Sequence, residues 1–264
     1  MSITGQPARQ TSESCGIHEK SFLKRPLIVA NGKEQQSAMF VEAEWEQLVR
    51  NLIAEGILRS PSVIRAVRMV SRENFLPDSM KQSYAIDAPL PIGWGQTASA
   101  PHMISIMNEA LQLEAGHRVL EIGAGSGWHA ATIAEIIAPS DQPKTIWGHI
   151  YTTEIIKELA DYAKTNIERA DYSERVTIIH IDGSQGYHAE APYDRILVTA
   201  AAPDIPKPLT DQLKTDNGIL IIPVGGTYYY QTLYRVTKNN SKLTREDLGG
   251  VAFVPLTGKY GHHT

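Results

Sequence analysis

Three acidic residues, Glu121, Glu154 and Asp182, stand where apolar stretches of the sequence end. In open α/β sheets, ligands bind outside the carboxyl ends of the strands, so three carboxylates at such ends would border one crevice. Glu154 could accept hydrogen bonds from ribose hydroxyl groups, and Asp182 from an adenine amino group, which predicts an adenosine site. Each acid taken singly could instead cap the following helix or remain in solvent, but three in register favour a ligand.

A glycine-rich turn with Gly123, Gly125 and Gly127 follows the first acid. Glycine has no Cβ, so the chain can turn sharply there and approach a ligand closely. A dinucleotide fingerprint would need a small residue where Trp128 stands, and Glu121 would repel a pyrophosphate. The sulfonium and ammonium groups of S-adenosylmethionine suit a carboxylate better. The turn alone leaves a generic turn or another nucleotide site open.

The elements around this turn predict a doubly wound, Rossmann-like α/β fold. Apolar runs predict strands over residues 118–122, 146–153, 176–181, 195–200 and 218–224, and helical spacing after the glycine turn predicts a helix over 128–137. Residues 231–236 and 251–254 would close the sheet without helices between them. The sheet is therefore expected to be mostly parallel, with a mixed C-terminal edge.

The segment ahead of the first strand is predicted to hold short helices and a long loop. Residues 1–40 show no sustained periodicity and are predicted to be a flexible extension, which leaves 41–264 as the folded domain. Helices are expected from Glu42 to about Gly56 and from Pro61 onward. Prolines and glycines predict an irregular, functional loop over 84–102. Residues 138–149 look like an inserted loop, since Gly123 and Glu154 are 31 residues apart.

Composition limits the classes of function. The 264 residues carry a formal net charge of −4, which disfavours a nucleic-acid partner. Cys15 is the single cysteine, so neither an intramolecular disulfide nor a zinc–cysteine cluster is expected, and we predict no metal. The polar N-terminal stretch and the lack of a long apolar run predict a cytoplasmic protein without a membrane span.

Several motifs in one order resemble the protein-L-isoaspartate O-methyltransferase family over roughly residues 45–256. The residues that carry this likeness lie at 89–93, 96–102, 119–127, 182–184, 193–203, 211–213, 222–225 and 254–256. The resemblance implies a class I methyltransferase domain at 41–264. It also implies methyl transfer from S-adenosylmethionine to the free carboxylate of L-isoaspartyl residues in damaged proteins and peptides, which starts their repair through a succinimide. A monomer is expected.

The same resemblance assigns residues to roles. Ser99 matches the active-site serine of the family. The cofactor contacts would be Gln96, Thr97, Ala98, Ser99, His102, Glu121, Gly123, Gly125, Gly127, Glu154, Asp182, Gly183 and Gln231. Ala98 departs from the usual isoleucine, the loop at 138–149 is longer than usual, and the N-terminal extension is atypical. The alanine would widen the pocket and bears on substrate preference.

Ser99 is expected to orient the acceptor carboxylate and not to act as a nucleophile. An acceptor carboxylate is already ionised at neutral pH, so no general base is needed. A nucleophilic Ser99 and His102 pair is disfavoured because the G-x-S-x-G motif is absent. Two other functions remain open. One is an enzyme of this fold that methylates a specific aspartate of a modified peptide, and the other is a cofactor-binding scaffold without turnover.

Overall fold

The computed structural model describes residues 1–2, 32–227 and 230–262. The chain divides into two units, Met1–Met39 and Phe40–Thr264. Most of the N-terminal extension lies outside the described residues, so the flexibility predicted for residues 1–40 stays a prediction. The second unit carries the sheet and all of the predicted site.

The second unit is built on a seven-stranded sheet and a separate two-stranded hairpin. The strands are β1 (Leu90–Gly93), β2 (Gln96–Ala98), β3 (Arg118–Ile122), β4 (His149–Glu154), β5 (Val176–His180), β6 (Arg195–Val198), β7 (Gly218–Gly225), β8 (Gln231–Asn239) and β9 (Lys242–Val251). Their order in the sheet is β5-β4-β3-β6-β7-β8-β9. The first five run parallel, whereas β8 and β9 pair antiparallel. The predicted doubly wound sheet with a mixed C-terminal edge is confirmed.

The described residues form six α-helices: α1 (Gly32–Ala54), α2 (Pro61–Met69), α3 (Pro101–Leu111), α4 (Trp128–Ile137), α5 (Lys157–Arg169) and α6 (Lys207–Gln212). Helices α3, α4 and α5 pack against strands of the sheet, whereas α2 packs against α3 and α4. Helix α1 begins at Gly32, earlier than the expected start at Glu42. In β3, Val119 belongs to one hydrophobic cluster and Leu120 to another, and both are fully buried. Successive side chains of a strand point to opposite faces, so β3 is covered on both sides. This burial explains its unbroken apolar run.

Two predictions about local structure are wrong. Residues 84–102 do not form a wholly irregular loop, because β1 and β2 pair as an antiparallel hairpin within them. Pro91 fits because a strand in a two-stranded hairpin has a free edge that needs no donor. The last strand is β9, over Lys242–Val251, and not residues 251–254. Its side chains are almost all exposed, so it lacks the apolar alternation that marks a half-buried strand.

The insertion over residues 138–149 leads into the amino end of β4. The predicted crevice lies at the carboxyl ends of the strands, so the insertion is at the opposite end of the sheet. It is fastened by the buried carboxylate of Glu135. That carboxylate accepts a hydrogen bond from Arg65 at 2.7 Å, from Arg175 at 2.9 Å and from the Ser140 hydroxyl at 2.9 Å. The insertion is therefore part of the packed structure. No helix among the described residues has the length and apolar character to span a membrane.

Candidate active site

The glycine turn after β3 is tied to the end of β4. The amides of Gly123 and Ala124 both donate to the carbonyl oxygen of Thr153, at 2.8 and 3.0 Å. Gly123 has a φ of 99°. A Cβ at this position would lie 2.3 Å from the Thr199 hydroxyl oxygen, which itself donates to the Gly123 carbonyl. Only glycine fits here without displacing β6, because both the φ and the space exclude a side chain.

A cleft of about 860 Å³, including its open mouth, lies at the carboxyl ends of β3, β4 and β6. Eight of the residues predicted for the site line it: Gln96, Thr97, Ala98, Ser99, Gly123, Gly125, Glu154 and Gly183. The structure thus brings the hairpin, the glycine turn and two strand ends to one crevice. The individual contacts with a ligand stay predictions.

Further residues line the cleft that the sequence did not assign to it. They are Ser126, Trp128, His129, Thr153, Ile155, Ile156, Thr199, Ala200 and residues 254–257, besides Ala124 and three apolar side chains of the core. Thr199 and Ala200 directly follow β6. Because ligands bind at the carboxyl ends of strands, these two residues could have been predicted if residues other than acids had been considered. Nothing in the local sequence shows that residues 254–257 return to this crevice.

Glu154 is buried at the wall of the cleft and organises its backbone. One carboxylate oxygen accepts from the Gly125 amide at 3.1 Å. The other accepts from the amides of Ile155 and Ile156, at 3.0 and 3.1 Å. The carboxylate can accept about four hydrogen bonds in all, so the oxygen that accepts from Gly125 can accept one more, from a ligand hydroxyl group. The predicted ribose contact is compatible with this geometry.

Glu121 lies beneath the glycine turn, fully buried, and its side chain is not among those that line the cleft. One oxygen accepts from the Thr152 hydroxyl at 2.6 Å. The other lies 3.9 Å from Nδ1 of His129, and neither of these two atoms has a hydrogen-bond partner among the described residues. Burial raises the pKa of Glu121 to about 8, helped by the nearby Glu154 carboxylate and opposed by Thr152. Burial lowers the pKa of His129 to about 3.

The raised pKa of Glu121 is expected to make the folded protein less stable as pH rises. The folded state holds this proton to about pH 8, whereas an ordinary glutamate releases it near 4.5. The folded state therefore binds more protons in that window, and its stability falls as pH rises through it. His129 affects stability only below pH 6.5, where its protonation disfavours the folded state, so the range from pH 6.5 to 8 isolates the effect of Glu121.

Glu121→Gln has no proton to release, and its amide can donate to His129. We expect it to remove the fall in stability between about pH 6.5 and pH 8, worth about 1 kcal/mol per pH unit below the folded pKa. Differential scanning calorimetry would show a Tm advantage over the wild type that grows by roughly 2–4 °C across this range. The exposed Glu168→Gln variant is the control. Parallel Tm curves for wild type and Glu121→Gln would contradict the assignment.

Asp182 lies beside the cleft and is engaged by the chain itself. Its carboxylate accepts from the Ser184 amide at 3.0 Å, from the Ser184 hydroxyl at 2.6 Å and from the Lys259 amide at 2.8 Å. Burial alone would raise the pKa of Asp182, but these hydrogen bonds bring it below its ordinary value. The neighbouring Gly183 lines the cleft, and a Cβ there would lie 2.1 Å from the Thr153 hydroxyl oxygen. Asp182 thus shapes the wall that carries Gly183.

Three other predicted site residues do not line the cleft: His102, Gly127 and Gln231. The Nδ1 atom of His102 lies 2.9 Å from Asp87, which also accepts from the His102 amide at 2.9 Å near the start of α3. This contact gives no support to a nucleophilic Ser99. Gln231 holds Phe253, accepting from its amide at 2.6 Å and donating to its carbonyl at 3.0 Å, and so supports the segment at 254–257.

Ser99 stands between the hairpin and α3. It follows the last residue of β2, and α3 begins at Pro101, so both flanking elements restrict its backbone. The side chain is half-buried and lines the cleft together with Ala98. Within the described residues, no three His, Cys, Asp or Glu side chains converge in a way that could hold a metal ion. The cleft thus combines a glycine-rich backbone turn, the carboxylate of Glu154 and the hydroxyl of Ser99.

Known proteins with similar sequence share this site-bearing region. A protein-L-isoaspartate O-methyltransferase from Hyperthermus butylicus is 52% identical over 226 residues, which cover 83% of this chain and 93% of that protein. One from Korarchaeum cryptofilum is 49% identical over 216 residues, covering 81% of this chain and 97% of its own.

A solved structure is similar to this chain over most of its length. It is a Plasmodium falciparum protein assigned as a protein-L-isoaspartate O-methyltransferase, crystallised with S-adenosyl-L-homocysteine. It is 29% identical, has a TM-score of 0.69, and the match covers 81% of this chain and 98% of that one. The family model for protein-L-isoaspartate(D-aspartate) O-methyltransferase matches residues 43–261. The chain belongs to the protein-L-isoaspartate O-methyltransferase family.

Proposed function

We propose that this protein transfers a methyl group from S-adenosylmethionine to the free carboxylate of L-isoaspartyl residues in damaged proteins and peptides. Family membership supports the reaction. The observation that carries the assignment of roles is the convergence of the Ser99 side chain and the glycine turn on one cleft. The cofactor would lie along the turn, and the peptide would enter beside the hairpin.

The residues of the cleft fit S-adenosylmethionine. Gly123 and Gly183 both line the cleft and let its wall pack tightly, because a Cβ at either position would collide with Thr199 or Thr153. Glu154 supplies the acceptor that a ribose requires. When bound, the cofactor supplies an electrophilic methyl group on a sulfonium.

The acceptor needs orientation more than activation. A carboxyl group with a pKa of about 4 is ionised at neutral pH, so its oxygen can attack the methyl carbon without a general base. An O–C bond forms as the C–S bond breaks, and the products are a methyl ester and S-adenosylhomocysteine. Ser99 would donate a hydrogen bond to one carboxylate oxygen and leave the other to face the methyl group. Fixing two reactants in this way can supply several kcal/mol of the barrier.

Methylation starts repair because it creates a better leaving group. The backbone nitrogen that follows the isoaspartyl residue can displace methanol and close a succinimide. Water then opens the succinimide, partly to normal aspartate. The protein therefore acts on the carboxylate only, and the later steps require no further group from the cleft.

Methyl transfer to paired peptides tests the proposal. One short peptide carries isoaspartate, and its control carries aspartate at the same position; both receive labelled S-adenosylmethionine. We expect label in the first peptide only. Label in neither, with tight binding of S-adenosylhomocysteine, would contradict the proposal and favour a scaffold or an enzyme dedicated to one modified peptide.

We also propose a cytoplasmic monomer without a nucleic-acid partner, in keeping with the net charge of −4.

A further inference from the structure

Arg72 is a fully buried cation that binds backbone carbonyl groups at the β1–β2 hairpin. Its guanidinium donates to the carbonyl oxygens of Ile86 at 3.1 Å, Ala88 at 2.9 Å and Ala98 at 2.9 Å. In the part of the chain that the structure describes, no ion pair involves Arg72. Its charge is thus neutralised mainly by backbone dipoles, with Asp87 the nearby acidic group that acts on it.

These three carbonyls lie on both sides of the hairpin. Residues 86 and 88 precede β1, whereas Ala98 ends β2, and Leu90 pairs with Ala98 in the ladder. One planar guanidinium therefore closes the open end of the hairpin. The Ala98 carbonyl belongs to the peptide group that joins Ala98 to Ser99. A hydrogen bond to this oxygen fixes the plane of that peptide and, with it, the direction in which the Ser99 side chain leaves the backbone.

Arg72 also connects the hairpin to the cofactor cradle. Its guanidinium carbon lies 5.2 Å from the ring centroid of Trp128, the first residue of α4 after the glycine turn. The Trp128 indole donates to the Val70 carbonyl at 3.0 Å, which fixes the ring. Arg72 is therefore held against one wall of the cleft while it holds the segment that carries Ser99.

We propose that Arg72 is a positioning residue for methyl transfer, which sets the Ser99 hydroxyl relative to the cofactor. This inference rests on the proposed role of Ser99. A lysine has one compact ammonium and cannot reach three carbonyls with a planar fork, so Arg72→Lys keeps the charge but loses the geometry. Misplacement of a reacting group by about 1 Å can cost about 10²-fold in rate.

Four variants test the inference: Arg72→Lys, Ser99→Ala, the double variant, and the control Arg68→Lys at an exposed ion pair with Glu46. We expect Arg72→Lys to lower kcat about 10²-fold, with the Kd for S-adenosylhomocysteine changed less than about threefold. The double variant should be no slower than Ser99→Ala, because Arg72 acts through that hydroxyl. Arg68→Lys should match the wild type.

Other outcomes overturn the inference. They are an unchanged kcat in Arg72→Lys, losses that multiply in the double variant, or parallel losses of kcat and cofactor affinity. If Arg72→Lys shows no cooperative thermal transition, Arg72→Gln replaces it, since it retains an NH2 donor without a charge. Unfolding of both would show that Arg72 supports the whole domain and would also overturn the inference. Normal turnover in Ser99→Ala would instead refute the proposed role of Ser99.

Discussion

Replacing Ser99 with alanine is expected to lower kcat for an isoaspartyl peptide about 10²-fold, which is the loss of one hydrogen bond to a charged group at the upper end of its range. Ser99 lines the cleft directly after the hairpin, and its backbone is held between β2 and α3. Without it, the carboxylate can still bind but is no longer aligned with the methyl group, so the defect should fall mainly on kcat.

Steady-state kinetics with the peptide, and calorimetric titration with S-adenosylhomocysteine, would separate the two effects. The Kd should stay within about twofold, because the hydroxyl acts on the acceptor and not on the cofactor cradle. Ser173→Ala, at an exposed position, serves as the matched control. Full turnover by Ser99→Ala would refute the orienting role, and a large loss of cofactor affinity would show that the hydroxyl itself contacts the cofactor.

Glu154→Gln is expected to raise the Kd for S-adenosylhomocysteine about 10²-fold. The carboxylate accepts from the amides of Gly125, Ile155 and Ile156. A glutamine turns an NH2 group toward at least one of these donors and loses the strength of charge-assisted hydrogen bonds, each worth about 1.5–3 kcal/mol. The glycine turn would loosen, and the acceptor for the ribose would be lost at the same time.

Isothermal titration calorimetry would measure this change directly. At saturating cofactor, kcat should change far less than Kd, since Glu154 is assigned to the cofactor and not to the acceptor. The control is Glu158→Gln, an exposed residue in the first turn of α5. An unaltered Kd for Glu154→Gln would show that the carboxylate merely packs against the turn.

The sequence predicted the centre of the fold well because local and long-range requirements coincide there. The run from Arg118 to Gly127 contains an apolar strand, a turn that needs glycine and a helix start. By contrast, β9 was misplaced, since an exposed edge strand is defined by its pairing with β8 and leaves no apolar pattern. The hairpin in the 84–102 segment was missed for a related reason: a few backbone pairs and Arg72 hold it, and neither is visible as periodicity.

The acidic residues show why a site is harder to predict than a fold. All three acids were expected at the crevice, yet Glu121 is buried beneath the turn while Glu154 lines the cleft. Glu121 shares a face of β3 with Val119, and α4 covers that face. The alternation along β3 could have assigned Glu121 to a side of the sheet. The burial itself depends on how closely His129 packs, which no local pattern reveals.

The charged side chains along β9 have a consequence for the behaviour of the protein in concentrated solution. Lys242, Arg245, Glu246 and Asp247 are exposed on this final strand. Among the strands that the structure describes, none lies beside the outer edge of β9, and an edge of this length could template aggregation if it carried no charges. Charges of both signs close together make stacking in register costly for another chain. We therefore expect the protein to resist edge-to-edge association through β9.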